Sequence, residues 1–320
     1  MVTLENDEEN RGANLGSIRQ RVVRRLGQLR EKGEGTRNTN EHNIVITGPG
    51  RSGTTLTCHL LNKLPNTIAL AEPLTPSRFE EQMPDHEAVC DELEKVYRRM
   101  RRKALKRGVV RSKHVGGIVP DNTKGHVDGV RQRIAVKGNI PVNKDLNEDF
   151  FLAIKQPGMF TALLPSLAKR FPCYAIVRNP LAIIASSGSI QSGKRGKNPS
   201  AKLRYDAHWR RQVEESQKAG VDKLGQRLQR MHYNFERYET SLPRENIIRY
   251  EDLCASGGKA LRVIVSAAAE FNEPLENKNA NPLYDREKIF AIGDRLLASK
   301  GAYWNFYSKK DVEEIIKAYE

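Results

Sequence analysis

Residues 43–63, NIVITGPGRSGTTLTCHLLNK, decide how this chain is read. An apolar run, Asn43–Thr47, leads into a glycine-spaced turn, Gly48-Pro49-Gly50-Arg51-Ser52-Gly53, and a helical pattern starts near Thr54 or Thr55. Strand, tight turn and helix in that order aim several backbone N–H groups and the positive end of a helix dipole at one point. That arrangement suits a phosphate-like anion.

The spacing from Gly48 to Gly53 meets the first half of the nucleotide-loop pattern G-x-x-x-x-G-K-[ST], but Thr54 stands where the lysine belongs. In nucleoside triphosphate enzymes that lysine reaches the β- and γ-phosphates beside a metal ion. Here the cation is Arg51, inside the loop, where a guanidinium can fork onto a terminal anionic group with the Thr54 and Thr55 hydroxyls as further donors. A sulfuryl group in transfer carries less charge than a phosphoryl group, so arginine, lysine and backbone donors suffice without a metal.

The loop GRSGTTL resembles that of sulfotransferases that use 3′-phosphoadenosine 5′-phosphosulfate (PAPS), in the arginine form of tyrosylprotein sulfotransferases and many bacterial relatives. A second stretch, CYAIVRNPLAIIASSGS at 173–189, is similar to that family's 3′-phosphate motif. Cys173–Val177 reads as a buried strand, Arg178 ends it, and Asn179-Pro180 start a helix at the position proline favours. Arg178 and Ser186 match the family's arginine and serine without a gap. The resemblance implies that Gly50, Arg51, Ser52, Gly53, Thr54 and Thr55 hold the phosphosulfate, and that Arg178 and Ser186 hold the 3′-phosphate.

Further apolar runs at Thr67–Ala71, 150–154 and 246–250 end at Glu72, Lys155 and Glu251, and helical patterns at 159–170 and 258–271 follow the last two. Alternation of this kind predicts an α/β fold, P-loop-like, with three layers and a central parallel sheet flanked by helices. Ligands in such sheets bind beyond the carboxyl ends of the strands, so Arg51, Glu72, Lys155 and Arg178 should gather in one cleft. An acceptor hydroxyl loses its proton as it attacks sulfur, and Glu72 resembles the family's glutamate base. Lys155 resembles the lysine of the family's K-x-P turn, which with Arg51 steadies the leaving adenosine 3′,5′-bisphosphate. Each also has a plainer reading, a strand-end ion pair or a solvated lysine. Lys300-Gly301, ahead of Trp304, resembles a shortened form of the family's Lys-Gly loop and adds two cofactor-binding candidates. Tyr250-Glu251-Asp252-Leu253 also resembles a family segment and reads as structural. No metal ligand set is expected, because Cys58, Cys90, Cys173 and Cys254 lack ligand spacing. His59, His114, His126 and His208 stand away from strand ends.

Residues 1–42 read as a polar appendage with an amphipathic helix near 15–29, and 43–320 as the sulfotransferase-like domain. Within that domain 73–148 form a helical and loop insertion over the acceptor site, with a flexible lid at 116–144 and a second at 191–199. The N-terminus is acidic and polar, and no apolar run spans a bilayer, so a cytoplasmic protein is expected. The formal net charge is +15, and 95–113 hold ten basic residues and no acidic one. That charge suits anionic PAPS and an anionic acceptor, whether small molecule, glycan or peptide. A phosphotransferase (kinase or ATPase) and a basic nucleic-acid-binding protein are the competing readings, although no nucleic-acid module is recognised. Oligomeric state and acceptor identity are not written in these motifs.

Overall fold

β1, Asn43–Thr47, is buried at all five positions, as expected of an apolar run without alternation, a strand covered on both faces. Its loop leads into α1, Thr54–Leu61, and then β2, Thr67–Ala71, again wholly buried. A computed structural model describes residues 40–127, 130–188 and 201–320. The helix expected near 15–29 and the lid expected at 191–199 lie outside them. Asn40–Glu320 form one unit.

α2, His86–Arg107, is N-capped by Asp85 and stopped by Gly108 in the left-handed conformation. β3, Val109–His114, β4, Lys124–Val127, β5, Val130–Arg133, and β6, Val136–Pro141, follow. The helix expected in the 73–148 insertion is present as α2, but the flexible lid expected at 116–144 is corrected: β3 pairs antiparallel with β6, and β4 with β5. Gly108 ends the helix, and Val109-Val110 with Ser112 inward restart the chain as strand. β7, Phe151–Lys155, α3, Pro157–Leu167, β8, Cys173–Val177, and α4, Pro180–Gly188, come next.

α5, Ala201–Tyr205, α6, Ala207–Lys218, and α7, Lys223–Ser241, lead to β9, Ile247–Arg249, and α8, Tyr250–Ala255. α9, Arg286–Leu297, and α10, Lys309–Lys317, complete the chain. The helix expected over 258–271 is instead two 3₁₀ turns, Lys259–Val263 and Ser266–Glu270. Val263-Ile264-Val265 places three β-branched side chains in a row, and Val265 takes an extended conformation that breaks the helix.

The central sheet has the order β2-β7-β1-β8-β9, every pairing parallel. The fold is therefore α/β, a five-stranded parallel sheet flanked by helices. β1 sits at the centre, with the chain turning to β2 and β7 on one side and to β8 and β9 on the other. That is the topological switch point, where the carboxyl ends open a crevice. The β2 edge is closed by side chains. Asn62 Nδ2 donates to Ala69 O at 2.7 Å and its Oδ1 accepts from Ala69 N–H at 2.8 Å, so one amide stands in for a neighbouring strand. Ser112 Oγ accepts from Ala71 N–H at 2.9 Å and ties β3 to the same edge.

Candidate functional site

The turn after β1 is built so that only glycine serves at its two ends. Gly48 has φ +151, and a Cβ there would lie 2.3 Å from Ile176 O. Gly53 has φ +92, and its Cβ would meet the Tyr250 ring at 2.7 Å. Between them Arg51 adopts φ +77, a conformation that costs a non-glycine residue about 1 kcal/mol. Ser52 is fully buried and donates from Oγ to Pro49 O at 2.8 Å, so it shapes the turn without lining the cleft. α1 then starts at Thr54 with no side-chain cap, which leaves its first amide donors for a ligand.

Register places the second group. Ala71 is opposite Lys155 across β2 and β7, and Glu72 N–H donates to Lys155 O at 2.7 Å. The Lys155 ammonium donates to Glu72 Oε1 at 2.8 Å and to Thr55 Oγ1 at 3.3 Å. Lys113 on β3 donates to the other carboxylate oxygen, Oε2. Burial pushes the Glu72 carboxyl up, but Lys155 and Lys113 outweigh it and hold the pKa at about 2. Burial works on Lys113 as well, lowering its pKa although Glu72 opposes this. Glu72 itself has φ +49, a second left-handed residue at the mouth of the cleft.

Arg178 and Ser186 form the third group. Arg178 Nε donates to Asn279 Oδ1 at 2.7 Å, Nη1 to Arg51 O at 3.1 Å, and Nη2 to Lys278 O. Its guanidinium lies 4.5 Å from the centre of the Tyr250 ring. Arg51 Nε donates to Ser186 Oγ at 3.0 Å, so the loop arginine joins the Arg178–Ser186 group. Glu251 organises this corner: Oε1 accepts from Asn179 N–H at 2.9 Å and Asn279 Nδ2 at 2.8 Å, and Oε2 from Tyr307 OH at 2.8 Å. The segment at 250–253, read as structural, therefore also supplies Tyr250 to the wall beneath Arg178.

The cleft has a volume of about 710 Å³. Of the residues expected there, Gly50, Arg51, Gly53, Thr54, Thr55, Glu72, Lys155, Arg178 and Ser186 line it. Lys300 and Gly301 do not. Ala302 N–H bonds His232 on α7 at 3.0 Å and Trp304 Nε1 donates to Ser299 O at 3.1 Å, so that loop is packing. The wall is completed instead by 274–284, through Pro274, Lys278 and Tyr284. His59 Nδ1 sits 2.9 Å from Val119 O and serves packing.

Three contributors escaped the sequence reading. Lys113 was hidden in the basic run 95–113, although Gly108 within that run is a helix stop signal and puts Lys113 beyond the helix, on β3. Gln156, the middle residue of the K-x-P turn, is buried and lines the cleft, and its Oε1 has no hydrogen-bond partner among the described residues. A buried acceptor of that kind calls for an O–H or N–H donor, from a water molecule or a ligand. Lys202 on α5 lines the cleft too; burial, assisted by Arg230, brings its pKa down to about 7, and it donates to Asn234 Oδ1.

Among the described residues, no group of three or more His, Cys, Asp or Glu could hold a metal ion, and no helix is long and apolar enough to cross a membrane. The four cysteines are free and buried.

No family model matches the chain, and no curated protein matches it. Among solved structures, sulfotransferase STF1 from Mycobacterium tuberculosis H37Rv matches over 91% of this chain and 80% of its own, at 14% identity and a TM-score of 0.29. A likeness at that score carries no argument, and the class of the fold rests on the parallel sheet itself.

Proposed function

We propose that the chain is a PAPS-dependent sulfotransferase acting on a hydroxyl, or an amine, of an acceptor. The observation that supports this most is the Thr55–Lys155–Glu72 chain of hydrogen bonds at the rim of an anion loop that lacks the triphosphate lysine. It puts a proton acceptor, a cation and the loop donors within one hydrogen-bonded group, as sulfuryl transfer requires.

The donor set fits the cofactor. Loop amides of 50–55 and the Thr55 hydroxyl suit its phosphosulfate, Arg51, Arg178 and Ser186 its 3′-phosphate, and Gln156 Oε1 accepts from one of its O–H or N–H groups. Bound PAPS supplies the sulfuryl group and departs as adenosine 3′,5′-bisphosphate. Glu72 takes the proton of the attacking hydroxyl. Lys155 turns from Glu72 to the departing oxygen, which removes the charge that most depresses the Glu72 pKa and makes the carboxylate a stronger base. Lys113 keeps Glu72 ionised and aimed meanwhile, and Arg51 and Arg178 carry the charge of the leaving bisphosphate.

Transfer of labelled sulfate from PAPS to an acceptor extract tests this. Lys155→Ala and Arg51→Ala abolish transfer, whereas Glu72→Gln lowers turnover about 10²–10⁴-fold and leaves bisphosphate affinity within a few-fold of native. An unaffected rate in Glu72→Gln moves the base elsewhere. Activity persists in EDTA; a strict magnesium requirement, with ATP as donor, would replace this reading by a phosphotransferase.

A further inference from the structure

A second cavity, of about 550 Å³, is lined by the segment that follows Glu72. Pro73 and Leu74 form its near wall, the 3₁₀ turn Pro76–Gln82 one flank, and α2 with β3 the rest. Its floor is apolar: Leu74, Phe79, Val96 and Val110 are buried core residues, and Met100 packs on them. Its rim is cationic, with Arg78, Arg99, Lys103 and Arg111 against a single carboxylate, Glu92, which is paired with Lys95 at 2.6 Å.

Two features stay unresolved within the protein. Arg78, Arg99 and Arg111 form no ion pair with any carboxylate among the described residues, so three guanidinium groups face one cavity uncompensated. Gln82 Oε1, also on the wall, is buried without a hydrogen-bond partner among the described residues. The flank is anchored, since Tyr205 OH donates to Pro76 O and Arg204 pairs with Glu80. The cavity is thus a formed feature between fixed elements.

We infer that this cavity is a binding site for an amphipathic acid, a small molecule with an apolar body, one anionic group and a neighbouring hydroxyl or amide N–H. The apolar body lies on Phe79, Val96 and Met100, the anion meets Arg99 and Arg111, and the O–H or N–H satisfies Gln82. A concave pocket of this volume with an apolar floor and a few converging polar groups takes a single small ligand, which separates it from an extended nucleic-acid track. The site is independent of the proposed transfer activity, although it shares the 72–74 segment with the first cleft.

Calorimetric titration of the full chain tests the site, with decanoate as the probe and octanoate, acetate and octanol for comparison. Decanoate binds on the order of tenfold tighter than octanoate, as two added methylenes require, and acetate and octanol bind at least about tenfold more weakly than octanoate. The double variant R99Q/R111Q, altered at exposed positions, weakens decanoate about tenfold or more with an unchanged melting temperature. Met100→Trp, which fills the floor, weakens it too. Saturating adenosine 3′,5′-bisphosphate leaves decanoate binding unchanged. The inference is overturned if acetate binds as well as decanoate, if R99Q/R111Q binds normally, or if the bisphosphate displaces the acid. Co-sedimentation with phosphatidylglycerol vesicles and no heat with monomeric decanoate would make the patch a membrane contact instead.

Discussion

Glu72 accepts hydrogen bonds from two ammonium groups, and its titration follows from them. Its pKa falls from 4.5 unfolded to about 2 folded, so the unfolded chain binds the proton more readily over that window. The stability that ionised Glu72 contributes is fully present above pH 4.5 and is lost as pH falls toward 2; with the side chain 28% exposed it amounts to 3 kcal/mol at most, to order of magnitude. Urea unfolding of native and Glu72→Gln protein should show a stability gap that is flat above pH 4.5 and narrows below it. Lys113→Met removes one of the two cations, so the acid limb of the pH–rate profile should move to higher pH; an unmoved limb would show that Lys113 does not tune the base. Legibility at this scale was uneven. Glu72, Lys155 and Arg178 could be read because each ends an apolar run, and a parallel sheet brings such ends together. Lys113 and Gln156 could not. One reaches the cleft through an inserted ribbon with its own register, and the other is marked only by an oxygen left unpaired among the described residues.

Elements carry the strain that shapes the anion loop, and three glycines separate its causes. Gly48 and Gly53 combine positive φ with a wall closer than 3.0 Å, whereas a Cβ on Gly50 would meet nothing within 4 Å. Gly48→Ala and Gly53→Ala should each cost about 1–3 kcal/mol in urea unfolding and reduce bisphosphate affinity, while Gly50→Ala stays within about 0.5 kcal/mol of native. A costly Gly50→Ala would mean that the loop is held by more than conformation and contact. The strands β1, β2 and β8 were legible to the residue because their runs are uninterrupted and, apart from half-buried Tyr174, wholly buried. The β3–β6 ribbon was not, since Arg111, Lys113 and Lys137 among its polar residues make it read like the basic helix before it. Nor were the 3₁₀ turns at 259–270 legible, because their alanines favour helix and only the Val263-Ile264-Val265 run argues otherwise.

At the scale of the whole molecule, parallel pairing followed from alternation, but the strand order β2-β7-β1-β8-β9 depends on crossovers of which periodicity carries no record. That order sets the loop of β1 between Lys155 and Arg178, which turns scattered charges into one electropositive crevice. The formal net charge of +15 acts over a longer range than any of these pairs. Field lines focused into a cleft raise the capture rate of a multiply charged ligand, and mobile ions screen that focusing once the Debye length falls below the width of the crevice. Stopped-flow association of adenosine 3′,5′-bisphosphate should therefore slow by about tenfold or more between roughly 50 mM and 500 mM NaCl, with dissociation changing far less. Uncharged adenosine, titrated over the same range, should show little salt dependence. Equal salt responses for the two ligands would mean that the excess positive charge serves the rest of the surface and does not steer anions to the β1 loop.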